Sequence, residues 1–343
     1  MSRAPGHRRG CLAGLFSGLF TVAALALLAV LVATFVFNAP GPPAKSGAEP
    51  TVVLRRGAGL NEIAAALEQA QVVPSAPMFV AAAQLTGGGR RLKAGEYAFA
   101  SRTSLKQVLA KLRAGEIVHH RVTIPEGLTS QQAVDILNAS PLLTGQVPTP
   151  TEGAILPETY DVTRGQDRAS VLQRMMDDRD ALLAQLWAKR RAGLPFKTPQ
   201  EAVTLASIVE KETAKASERP RVAAVYLNRL RIGMRLQSDP TVIYGVSRGL
   251  PLGRGLLQSE LDAPNPYNTY QLAGLPPGPI ANPGRASLAA VLDPPTTDEL
   301  YFVADGTGGH LFSSSYEQQE ANVARWRAIE RARAAAPKPA GDR

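Results

Sequence analysis

Hydrophobic and polar positions divide the chain into stretches of different character. Cys11 to Phe37 contain no charged residue. At about 1.5 Å per residue, a helix of this length exceeds the roughly 30 Å of a bilayer's hydrocarbon. The pattern predicts one membrane span over 11–37. A cleaved signal sequence is the alternative, although the run outlasts the roughly 7 to 15 apolar residues of a signal core and no A-x-A site follows it. Arg3, Arg8 and Arg9 precede the run and no basic residue follows until Lys45. That asymmetry predicts a cytoplasmic amino terminus over residues 1–10, single-pass placement in the inner (cytoplasmic) membrane, and export of the rest to the periplasmic or extracytoplasmic side.

Residues 38–50, "NAPGPPAKSGAEP", read as a linker that lifts the next domain off the membrane. Over 51–124 the periods alternate. A β-branched run at Val52 to Leu54 leads to helices from Leu60 and around Met78 to Leu85, interrupted by "GGGRR". "GEYAFA" reads as a strand, "SLKQVLAKLRAG" as a helix capped by Thr103 or Ser104 and closed by Gly115, and "EIVHHRVTI" as another strand. This is a small α+β module.

A larger, mostly helical α+β domain is predicted over 125–333. It opens with a helix capped near Thr129 or Ser130, and residues 249–284 form a Pro/Gly-rich stretch too long to be an ordinary connection. "LYFVADGTGGHLFSS" predicts a hairpin and "SYEQQEANVARWRAIERARAAA" a closing amphipathic helix, with a flexible tail over 334–343.

One helix breaks its own pattern. Leu205, Ala206, Ile208, Val209 and Ala216 mark an apolar face. Counting roughly 100° per residue from Leu205 puts Glu212 near 340°, with the core side chains, but Glu210 near 140° and Glu218 near 220°, on the solvated side. A buried carboxyl is pushed toward the pKa a general acid needs near neutral pH. It could equally be neutralised by an arginine, and Arg219, Arg221, Arg229, Arg231 and Arg235 are available.

Composition narrows the chemistry. With 38 basic and 29 acidic residues the net charge is +9, which favours anionic partners without choosing among them. Cys11 is the single cysteine, so an intrachain disulfide is excluded, and neither CxxC nor HExxH occurs. No metal or cofactor is expected. His119 and His120 are adjacent in a predicted strand and point to opposite faces, His310 reads as an ordinary hairpin residue, and "GTGG" lacks the following helix of a nucleotide loop. No nucleic-acid or nucleotide site is expected.

"ASIVEKETAKASERPRVAAVYLNRLRIGMRLQSDPTVIYG" (206–245) closely resembles the signature of the YceG-like endolytic murein transglycosylases, the MltG family. "LPETYDV" (156–162), "PNPYNTYQLAGLPPGPIANPG" (264–284) and "YFVADGTGGHLFS" (301–313) continue it in order. The resemblance implies a membrane span, a LysM-like module and a YceG-like catalytic domain. It also implies a lyase that cuts the β-1,4 bond between N-acetylmuramic acid and N-acetylglucosamine, leaves 1,6-anhydro ends, and terminates glycan strand elongation. The second glutamate of the EKE triplet, here Glu212, is then catalytic. Gln237, Asp239, Tyr267, Asn268, Tyr270, Asn282 and Glu158 are expected around substrate, since aromatic faces and amides suit sugars. Peptidoglycan glycan strands, the bilayer through 11–37, and peptidoglycan synthases are the implied partners. Two rival readings stay open: a non-catalytic wall-binding or scaffold protein, and a hydrolase using a distant carboxylate such as Glu158.

Overall fold

The structure is a computed structural model that describes residues 8–44, 49–87, 89 and 92–335, with side chains from Gly18 onward. Arg3, Lys45, most of "GGGRR" and the tail beyond 335 lie outside the described residues. The chain forms two compact units, residues up to 120 with 163–165, and 121–162 with 166 onward.

The first unit begins with α1 (Arg8–Asn38), a 31-residue helix. Its segment Gly18–Asn38 has a mean hydropathy of 2.7 and no fully buried residue, with Val36 and Phe37 half-buried, so it is long and apolar enough to cross a membrane. A signal sequence meets the same criterion. Next come β1 (Thr51–Leu54), α2 (Leu60–Gln69), α3 (Ala76–Leu85), β2 (Gly95–Ala98) and α4 (Leu105–Ala114). β1 and β2 pair antiparallel from Thr51↔Ala98 to Leu54↔Gly95. Alternation in β1 sends Val52 and Leu54 inward, onto Leu67, Phe79, Tyr97 and Leu109. α4 starts and stops where its sequence says. Ser104 makes a capping box with Gln107, and Gly115 closes the helix at φ +75°.

The connection after α1 departs from the expected spacer. Gly41 N–H donates to the Arg102 carbonyl at 3.1 Å, and Arg102 N–H donates to that of Pro42 at 3.1 Å. Ala44 N–H reaches Ser101 Oγ at 3.1 Å. Residues 41–44 are thus tied to the unit they were expected to hold at a distance, because prolines that cannot continue a helix still leave carbonyls and neighbouring amides free to pair.

The second unit opens with β3 (His120–Thr123), shorter than the strand expected from residue 116, followed by α5 (Ser130–Ala139), whose cap is Thr129 in a box with Gln132. β4 (Leu143–Thr144), β5 (Thr159–Val162) and β6 (Gln166–Asp167) make only two-stranded pairings, β3 with β5 and β4 with β6. The body is helical: α6 (Arg168–Ala188), α7 (Pro199–Glu212), α8 (Arg219–Arg231), α9 (Asp239–Ser247), the short α10 (Gln258–Asp262) inside the Pro/Gly-rich stretch, and α11 (Arg285–Leu292). The hairpin is β7 (Tyr301–Ala304) and β8 (His310–Ser313), in register Tyr301↔Ser313 to Ala304↔His310. α12 (Tyr316–Ala335) packs on the hairpin through a half-buried stripe of Gln319, Val323 and Trp326.

α7 occupies the middle of this unit, against α8 and α11. Thr198 caps it in a box with Glu201, with Pro199 in the first turn. Every residue from Ala202 to Val209 is buried, so the helix has no solvated face along that length. It ends at Glu212, where Thr213 turns extended at φ −138°. Ala216 therefore does not continue the stripe and is exposed, and Glu218 belongs to the start of α8. Pro220, tolerated in a first turn, is the local signal for that new helix.

Candidate active site around Glu212

Glu212 terminates a helix whose preceding turns are locked in the core, so its carboxyl is fixed from behind. Its Oε1 accepts from Tyr226 Oη at 2.6 Å and from Ser238 Oγ at 2.5 Å. Its Oε2 has no hydrogen-bond partner among the described residues, and Glu212 forms no ion pair there. Tyr226, on α8, and Ser238, the N-cap of α9, are each 1% exposed.

Ser238 is itself held. Its N–H donates to Thr269 Oγ1 at 2.9 Å, its carbonyl accepts from Thr241 Oγ1 at 2.6 Å, and those two threonine hydroxyls meet at 2.8 Å. Before it, Gln237 takes the left-handed conformation at φ +52° while its N–H donates to the Thr269 carbonyl at 3.1 Å. Such a conformation is uncommon for a residue with a side chain, and here it turns the backbone into the α9 cap.

Burial raises the pKa of Glu212, the two hydroxyl bonds partly reverse that, the negative charge of Asp239 adds to it, and His310 opposes it. The net direction is up. Asp239 Oδ1 accepts from Tyr270 Oη at 2.6 Å, so both residues belong to this neighbourhood. Burial first, then Asp239, pushes the Tyr270 phenol well above its ordinary range. Asp239 lies in the first turn of α9, with Ser238 as the cap.

The remaining candidates divide. Tyr267 is half-buried, its ring 4.8 Å from that of Tyr244. Asn268 is wholly buried, and its amide donates to the carbonyls of Glu260, Leu261 and Ala263 while its Oδ1 accepts from Tyr270 N–H at 3.0 Å. Asn282 is also wholly buried, bonded to Ile155 N–H, the Leu128 carbonyl, Ser130 and Glu152. Both asparagines are spent on the fold, which corrects the expectation that their amides face sugar. Glu158 is exposed, 3.8 Å from Arg285, on a cleft of about 600 Å³ with Asp161, Arg174 and Asp178. Among the described residues no hydrogen bond or ion pair joins it to the Glu212 network.

Glu210 corrects the angular count. Its side chain is only 4% exposed, not solvated: Oε1 pairs with Arg219 at 2.8 Å, and Oε2 accepts from Gly284 N–H at 3.0 Å and Ser287 Oγ at 2.7 Å. Arg219 also reaches Glu126 at 3.1 Å. Of the other arginines offered as partners for Glu212, Arg221 pairs with Glu299, Arg229 donates to the carbonyls of Leu300 and Leu236, Arg231 to Asn228, and Arg235 to the Tyr270 carbonyl. The arginine-neutralised glutamate exists, but it is Glu210.

Glu218 is likewise largely covered, 16% exposed, and pairs with His310 Nδ1 at 2.7 Å. Burial works against it, yet hydrogen bonds from the His310 ring and backbone hold its carboxyl below the usual range. His310 also stands edge-on to Phe302, whose ring meets that of Tyr226. Sequence reasoning missed Ser238, Tyr226 and this His310 contact. Ser238 lay between two residues that were chosen, and Tyr226 interrupted an apolar run with a hydroxyl.

The model of the YceG-like family matches residues 52–325. A Bacillus subtilis protein named endolytic murein transglycosylase is 30% identical over 217 residues, 63% of this chain and 56% of that protein. One of the same name from Streptococcus pneumoniae is 27% identical over 323 residues, 80% of this chain and 58% of that protein. The chain thus spans little more than half the length of these relatives. A YceG-like protein of Listeria monocytogenes, known from its crystal structure, is 29% identical, with 80% of this chain and 99% of that one covered and a TM-score of 0.49.

Proposed function

The chain belongs to the YceG-like family, and from that premise we propose that it is an endolytic peptidoglycan lytic transglycosylase with Glu212 as its acid and base. The observation that carries the proposal is the carboxyl of Glu212 itself, half-buried, raised in pKa by desolvation, bonded through Oε1 to two hydroxyls and without a partner at Oε2 among the described residues. The names of the relatives support the substrate, murein glycan, and the class of reaction.

In the proposed reaction, Oε2 carries a proton to the oxygen between N-acetylmuramic acid and N-acetylglucosamine as the C1–O bond breaks. The carboxylate then takes the proton of the C6 hydroxyl while that oxygen bonds to C1, closing a 1,6-anhydro ring and restoring the acid. No water is consumed and one carboxyl is sufficient. Tyr226 and Ser238 orient the group and stabilise its ionised form midway. Asp239 and Tyr270 line the approach, with Gln237 and Tyr267 as further sugar contacts.

The rest of the reading is also a proposal. α1 is a retained single-pass span with its amino terminus in the cytoplasm, and the catalytic domain works outside the membrane. The strand, helix, helix, strand order of residues 51–98 supports a LysM-like module, and peptidoglycan synthases are the fitting partners for an enzyme that ends growing strands. A hydrolase is the competing reading, and it would use Asp239, which follows the Ser238 that bonds Glu212, in place of Glu158, which lines another cleft. Product mass decides between them. The purified exported part should release fragments lighter by one water than hydrolytic ones, and unlabelled after cleavage in ¹⁸O water. Reducing, labelled ends would replace the lyase with a hydrolase, and unchanged cleavage by Glu212→Gln would move the acid elsewhere.

A further inference from the structure

The first unit carries an apolar surface that catalysis leaves unused. α3 has no charged residue. Phe79, Ala82 and Ala83 enter the core, whereas Met78, Ala81 and Leu85 recur at helical spacing along a more exposed line. That line forms one wall of a cavity of about 520 Å³, and Val32, Ala33, Val36 and Phe37 of α1 form the other. Leu85 is 83% exposed and Met78 37%. A leucine left in water forgoes the stabilisation that burying its side chain would bring.

The height of this surface is set by α1. Val36 and Phe37 pack against the core of the unit, and the hydrogen bonds of Gly41, Pro42 and Ala44 fasten the chain that follows. The fit is close: a Cβ on Gly41 would collide with the Thr103 carbonyl oxygen. The apolar segment Gly18–Asn38 is about 31 Å long, matching the roughly 30 Å of hydrocarbon, so the turns before Gly18 emerge on the basic side and the segment facing α3 stands at the opposite edge of the hydrocarbon.

We infer that α3 is a second membrane contact: acyl chains of the outer leaflet fill the α1–α3 cavity and cover Met78 and Leu85, so the first unit rests on the bilayer. The inference depends on the reading of α1 as a retained span. The occupant follows from continuity, because the α1 wall of the cavity, Val32, Ala33 and Val36, belongs to the same apolar helix that exposes Leu28, Leu31 and Phe35. A tethered unit held away in water would leave this same surface unpaired.

The test uses the full chain in nanodiscs. Cys11, the single cysteine, is replaced by alanine, and Leu28→Cys, Leu85→Cys or Glu68→Cys is labelled with an environment-sensitive fluorophore. All three positions are exposed, so folding should survive, with circular dichroism as the check. Labels at 28 and 85 should emit blue-shifted light and be quenched by lipids brominated on their acyl chains, while the label at 68 behaves as in water. Quenching at 28 with a water-like label at 85 overturns the inference. Absence of quenching at both removes the span and the inference together. None of these readings depends on glycan cleavage, so they stand or fall apart from the proposed enzyme activity.

Discussion

Glu210 and Glu212 stand two residues apart near the end of one helix, and their surroundings divide structure from chemistry. Glu210 meets a guanidinium, a backbone amide and a serine, which ties α7 to α8 and α11 through both carboxyl oxygens. Glu212 meets two hydroxyls on one oxygen and nothing described on the other. A buried carboxylate clamped by arginine has its lone pairs engaged and its charge answered. One held by neutral donors keeps a free oxygen and a pKa lifted by burial. Burial alone therefore identifies neither a catalytic nor a structural acid, and the partner does.

The sharpest break is Glu212→Gln. The amide keeps the shape and can accept both hydroxyl bonds but has no proton to transfer, so turnover should fall by about 10² to 10⁴. Stability should move the other way. A carboxyl whose native pKa is raised destabilises the fold as pH climbs above its unfolded value, so the glutamine protein should be the more stable of the two near neutral pH and gain nothing below about pH 4. Chemical denaturation at the two pH values checks the sign.

Glu210→Ala should give the reverse pattern. Removing one partner of a buried pair leaves Arg219 with Glu126 alone and strips the amide of Gly284 of its acceptor. A loss of about 3 kcal/mol in unfolding free energy is expected, with cleavage per folded molecule largely kept. If Glu210→Ala instead abolished cleavage while leaving stability intact, the division between the two glutamates would be wrong.

The contrast was only half legible in the sequence. Counting angles from Leu205 chose Glu212 correctly as an inward residue but placed Glu210 in solvent. The count presumes an amphipathic helix with one wet side, whereas α7 is buried from Ala202 through Val209 on all sides. Thr204 and Ser207 hide that fact, since both are polar yet buried, bonded to the Gln200 and Thr204 carbonyls. The strands β1 to β3, the Ser104 and Thr129 caps and the late hairpin follow local signals and were readable, whereas the short β4, β5 and β6 were not. The Ser238, Thr269 and Tyr226 contacts join segments far apart in sequence, where no periodicity operates.

Smaller effects come from the two donors. Ser238→Ala and Tyr226→Phe each remove one hydrogen bond from Oε1, and each should lower turnover by about tenfold. Both bonds favour the ionised carboxyl, so their loss should raise the pKa of Glu212 further and carry the alkaline limb of the turnover profile to higher pH. A fall in rate with no movement of that limb would mean the hydroxyls act on the substrate instead.

The finest distinction lies in the charges around Glu212. Asp239 raises its pKa and His310, when protonated, lowers it. Asp239→Asn should shift the alkaline limb to lower pH and His310→Gln to higher pH, each by less than Ser238→Ala. Asp239 is exposed, so solvent ions can screen its charge. Raising the salt from about 0.1 M to 1 M shortens the screening length from roughly 10 Å to 3 Å. The Asp239→Asn shift should therefore shrink in high salt, whereas the Ser238→Ala shift, which arises from a direct bond to a residue 1% exposed, should persist. Equal salt sensitivity of the two would place Asp239 in direct contact with the acid or the substrate, as the hydrolytic reading requires.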